Sequence, residues 1–143
     1  MTSLEGHKRR IKEHLSEIQD AIDAGISAKP VTIGFHCSSC TMEMLEMYLH
    51  KTGRISTGKM VKHEWFKRPL PGQKTKPLIE RNLPAAFREK DAVYGLIYDI
   101  EENRSMLIYG KSTESQIRAV LDSFLRLKEL MTKLFEEAGE TIE

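Results

Sequence analysis

The feature that most limits what this chain can become is the period of its apolar residues. They recur at three- and four-residue spacing almost throughout, and no alternating stretch longer than a few residues interrupts them. A strand that buries one face needs an alternation of two, so the pattern argues against a sheet and for packed amphipathic helices.

Capping and breaking residues divide that pattern. Leu4, Ile11, Leu15, Ile18 and Ile22 form the stripe of a first helix over about 3–24, with Thr2 and Glu5 as a capping box and Gly25 as its stop. Pro30 suits the first turn of a second helix, which reaches about Thr52 and ends at Gly53. Its apolar arc is wide: Ile33, Cys37, Cys40, Met44, Met47 and Tyr48 lie on one side, with Leu45 and Leu49 beside them. An arc that wide predicts contact with more than one neighbour, hence a central helix whose methionines fill gaps in the core.

"RISTGKMVKHEWFKRPLPGQKTKP" then makes the longest irregular connection, with a helical turn or two around "KMVKHEWF". Connections of that length are often functional or mobile. A third helix is expected over about 78–109, interrupted or kinked near Pro84, carrying Phe87, Val93, Ile97, Ile100 and Leu107, and closed by Gly110. Thr113 and Gln116 can form the capping box of a fourth, which runs to about Ala138. Its stripe is Ile117, Val120, Leu121, Phe124, Leu127, Met131, Leu134 and Phe135. With 143 residues, the chain reads as one domain, 1–143, able to bury roughly 70% of its unfolded surface. The expected fold is all-α, a four-to-five-helix up-and-down bundle with a long crossover between the second and third main helices.

Charge excludes some roles. The net charge is +1, so the whole molecule is not an electrostatic glue for nucleic acid or membranes. The middle is locally basic, however: Lys51, Arg54, Lys59, Lys62, Lys67, Arg68, Lys74 and Lys76 stand against Glu64 alone. No apolar run approaches the roughly 20 residues of a membrane span. The opening "MTSLEGHKRRIKEHL" lacks the apolar core of a secretion signal, so a cytoplasmic location with reduced thiols is expected.

Cys37 and Cys40 do not make a zinc site by themselves, and the spacing of His36 and His63 does not recommend either as a partner. Inside a helical pattern the two cysteines are expected as small buried residues at a helix contact. No metal and no cofactor is expected. Trp65 and Phe66, set among lysines, fit either a stacking platform for single-stranded nucleic acid or a plug at the end of the bundle; the plug is the preferred reading. "HKRRIKEH" near the start is expected as a charged helix face rather than an RNA grip.

Arg104 breaks the third helix's pattern. It lies four residues after Ile100 and three before Leu107, and so projects from the face that they bury. A desolvated guanidinium needs a partner. Either it reaches Glu101 or Glu102, or it opens onto a groove that receives an anion, for which its planar fork is suited. Tyr109 lies about 140° further around an ideal helix. The two converge only through a turn at Gly110 or through a second copy of the helix.

The order of helices, the long crossover and above all "ENRSMLIYGK" resemble the HEPN family of small all-helical nucleotide-binding domains. Arg104 matches the arginine near the end of that family's third main helix, and Tyr109 stands where its histidine is expected. The resemblance implies a homodimer whose two motif copies face each other across a site for RNA or a nucleotide. Active members are metal-independent ribonucleases, frequently toxins; others are non-catalytic partners of a small nucleotidyltransferase.

Tyrosine in the histidine's place matters for chemistry. With an ordinary pKa near 10, about one molecule in a thousand is ionised at pH 7, against a histidine that titrates near 6.5. Arg104 and Tyr109 are therefore expected as nucleotide- or RNA-binding groups with no catalytic role. The alternatives are a metal-independent ribonuclease using Arg104 with an atypical second residue, and a helical interaction domain without a ligand.

Overall fold

A computed structural model describes residues 3–142. Among them are five α-helices and no strand: α1 (Leu4–Asp23), α2 (Pro30–Lys51), α3 (Leu78–Asn82), α4 (Lys90–Tyr109) and α5 (Glu114–Glu137). Four long helices pack as a bundle, and the short α3 sits within the crossover.

Each long helix starts for a local reason. At α1, Ser3 Oγ accepts a hydrogen bond from Gly6 N at 3.0 Å. Thr2, the expected cap, lies outside the described residues. At α2 the first helical position is Pro30, whose missing N–H is no loss there. At α5 the capping box expected from Thr113 and Gln116 is complete in both directions, at 3.2 and 2.9 Å.

α2 packs against α1, α4 and α5 and is the central helix. Ile33, Met44, Leu45, Met47 and Leu49 are buried along it, and Cys37 and Cys40 are buried as free thiols. Burial pushes both thiols well above their usual range, Cys40 to about 12. Gly34 of α2 is the point of closest approach to α4: a Cβ there would lie 2.9 Å from Leu107 Cβ and 3.2 Å from Ile108 Cγ1.

The expected third helix is two helices, α3 and α4, separated by residues 83–89. Pro84 explains the break. The residue before a proline is driven out of helical geometry, and Leu83 is extended at φ −146°. Glu89 then enters α4 from the left-handed region at φ 65°.

A single 3-10 turn at His63–Trp65 holds the crossover against the bundle. Phe66, just after it, is 2% exposed and meets Tyr94 and Tyr98 of α4 edge to face. Trp65 packs half-buried on the core, while Lys59, Lys62 and Lys67 are exposed. The two aromatics thus serve as a plug. Among the described residues no helix is long and apolar enough to cross a membrane.

Candidate functional site

The last turns of α4, the middle of α2 and the 3-10 turn of the crossover meet around Arg104. Gly34 makes this possible, because without a side chain it lets α4 lie close to α2 one turn from the arginine. Arg104 borders a cleft of about 460 Å³ whose walls include His63, Phe66, Lys67, Arg68, Glu101 and Ser105. A second hollow of about 350 Å³, lined by Ser38, Ser39, Met42 and Lys62, also borders Arg104, His63 and Glu64.

The carboxylates expected as partners of Arg104 are engaged elsewhere. Glu101 is nearly buried; its Oε2 accepts from Ser38 Oγ at 2.6 Å and its Oε1 from His63 Nδ1 at 3.0 Å. Burial raises the Glu101 carboxyl above its ordinary range, although Ser38, His63 and Arg104 all pull it back down. Glu102 pairs with Arg68, which also reaches Asp99 at 3.2 Å and lies over the Tyr98 ring. The hydrogen bond to Glu102 is the main reason that the Arg68 guanidinium holds its proton more firmly than usual.

Arg104 is left with a buried Nε that has no hydrogen-bond partner. A buried N–H of this kind costs about 1–3 kcal/mol when unsatisfied, more when charged. Arg104 makes no hydrogen bond to Glu101 or Glu102 and borders the cleft, although its charge still helps to hold the Glu101 carboxyl down.

Tyr109 is placed differently. It ends α4, is 80% exposed, and takes no part in the cleft that Arg104 lines. One chain does not bring Arg104 and Tyr109 together. Gly110 does not swing the chain around between them either, since its backbone is extended, with φ −111° and ψ −168°.

His63 joins the cleft through the crossover, and its sequence position carries no sign of that. Its Nε2 lies 3.2 Å from Glu64, so the ring sits between two carboxylates. The only trace in the sequence is the aromatic plug next door: burying Phe66 pins the preceding turn against α4.

The segment "HKRRIKEH" also differs from a plain solvated face. His7 is completely buried, and Arg10 donates to Glu43 at 2.8 Å. Glu43 also bonds His7. Burial opposes its ionisation, but the bonds from His7 and Arg10 outweigh that and hold it below the usual carboxylate range.

Compared with family models, with curated proteins and with solved structures, the chain finds no match.

Proposed function

We propose that this protein is a HEPN-like, non-catalytic module that binds the phosphate of a nucleotide or RNA in the cleft of Arg104. In this reading it works in the cytoplasm as a homodimer, possible partner of a small nucleotidyltransferase in a toxin–antitoxin pair. The observation that carries it is that Arg104 lines an open cleft with its buried Nε unpartnered and both neighbouring carboxylates hydrogen-bonded to other residues. A phosphate in the cleft would be drawn by the Arg104 guanidinium, and Lys67 on the same wall would add a second positive charge.

Exposed apolar residues support the dimer. Val31 and Phe35 flank Gly34 on α2, and Met106 and Tyr109 stand exposed at the end of α4. In this reading a second copy covers them.

The test is binding of short fluorescent RNAs and of nucleoside triphosphates. Arg104→Ala is expected to weaken binding about ten- to hundredfold, the loss of one charge-assisted contact of roughly 1.5–3 kcal/mol. Unchanged affinity in a folded Arg104→Ala protein would refute the reading.

A second reading has one specific observation in its favour. His63 stands in the same cleft as Arg104, within hydrogen-bond distance of Glu101, and histidine is the side chain suited to proton transfer at neutral pH. That would be the atypical second residue of a metal-independent ribonuclease. RNA cleavage in the presence of chelator, lost in both Arg104→Ala and His63→Gln, would establish it over the non-catalytic reading.

A further inference from the structure

Away from the Arg104 cleft, the start of α1 and the end of α2 bring two imidazoles and a carboxylate together. His7 Nε2 lies 3.2 Å from His50 Nδ1 and 3.5 Å from Glu46 Oε2, and all three atoms fall within 4.8 Å of one another. His7 and Glu46 are buried, at 0% and 7% exposure.

The outer atoms of each group decide what the inner atoms can be. His7 Nδ1 bonds the Glu43 carboxylate at 2.7 Å, so it carries the hydrogen. His50 Nε2 lies 2.9 Å from the Lys59 carbonyl, which only accepts, so this nitrogen is also the N–H. In the neutral rings, His7 Nε2 and His50 Nδ1 are therefore both lone pairs. Glu46 Oε1 accepts from Val61 N at 2.8 Å, which turns its Oε2 towards the two nitrogens. Three electron-pair donors then converge, an arrangement that a cation between them would satisfy.

That cation is either a proton on one ring or a metal ion. A proton would join His7 to His50 alone, with Glu46 at 3.5 Å left outside that bond, whereas a metal ion would take all three donors. A tetrahedral ion with bonds of 2.0–2.1 Å sets its ligands about 3.3–3.4 Å apart. Two of the three separations, 3.2 and 3.5 Å, bracket that value, and the third lies within 4.8 Å. Each donor also has the outer partner that metal ligands require: a carboxylate, a backbone carbonyl and a backbone N–H.

We propose that His7, Glu46 and His50 form a site for one divalent transition-metal ion, with Zn²⁺ the ion that two imidazoles and one carboxylate suit best. The set leaves a fourth position for water or a ligand atom. The ion ties α1 to α2 and, through Lys59 and Val61, fixes the first part of the crossover that leads to His63.

The test uses the full chain, stripped with chelator and titrated with Zn²⁺ by calorimetry, with metal analysis for stoichiometry and X-ray absorption for the ligand shell. One equivalent is expected, in a nitrogen and oxygen shell, with a rise in Tm that chelator reverses. Glu43→Gln should weaken binding about ten- to hundredfold by releasing the His7 ring. His50→Ala, in the last turn of α2 and only partly buried, should abolish binding in a folded protein even if His7→Ala does not fold. The double variant Cys37→Ser, Cys40→Ser should bind as before. No uptake of Zn²⁺, uptake that survives both His50→Ala and Glu46→Gln, or sulfur in the shell would overturn the proposal.

Discussion

At the scale of single residues, chemistry here is set by what is left over after neighbours have paired. Arg104 faces an open cleft because Arg68 takes Glu102, while Ser38 and His63 take Glu101. The cysteines are the opposite case. Buried at a helix contact, Cys37 and Cys40 hold their protons far above neutral pH and expose no sulfur. Native protein should therefore react with a thiol reagent only as fast as it opens, and both thiols should label together on unfolding in denaturant. Rapid labelling of the native protein would contradict this.

His14 supplies a pH dependence at the same scale. Its Nδ1 lies 2.8 Å from His36 Nδ1, and burial first, then the proximity of His36, lowers its pKa below 6.5. Arg10 pushes in the same direction, while Glu43 and Glu13 oppose it. For a group whose folded pKa is depressed, the unfolded chain binds the proton more readily. The associated stability is full above about 6.5 and is lost as pH falls through the folded pKa. Tm followed by circular dichroism should fall between pH 8 and pH 5, and His14→Gln should flatten that fall.

At the scale of elements, α2 decides how the others sit. A glycine in mid-helix normally weakens it, yet Gly34 is where α4 comes closest. The atom that an added methyl would meet, Leu107 Cβ, cannot swing aside as the end of a long side chain would. Gly34→Ala should therefore destabilise by about 1–3 kcal/mol through overpacking, despite the better helix propensity of alanine. Denaturant unfolding measures it; a more stable Gly34→Ala protein would show that the contact is loose. α3 and α4 give the other lesson at this scale. Apolar periodicity runs on through the region, but Pro84 with Leu83 breaks the backbone, so the pattern alone does not make one helix.

At the scale of the whole molecule, a bundle held by α2 carries one long strap. The strap is anchored by buried Phe66, by the Val61 bond to Glu46 and by the Arg54 bond to the Ala86 carbonyl at 2.6 Å. Between these anchors every residue from 67 to 76 is exposed. Limited trypsin digestion should cut first at Lys74, since the bonds after Arg68 and Lys76 precede prolines and Lys67 is held beside the buried Phe66. The two fragments should stay together, because α2 packs on both α4 and α5. Early cleavage inside α2 or α4 would mean that the bundle is less cooperative than its core suggests.

The sequence by itself determined the helical class, the four long helices with their breaks, the central role of α2 and the anomaly of Arg104. All of these follow from periodicity and capping, which act within a few residues of chain. The tertiary structure alone decided what surrounds each side chain: that His63 and Arg68 come over from the crossover to Arg104, that Tyr109 points elsewhere, and that His7 meets Glu46 and His50. Those meetings join residues far apart in the chain, and their distances depend on how whole helices pack, for which a local pattern carries no coordinate.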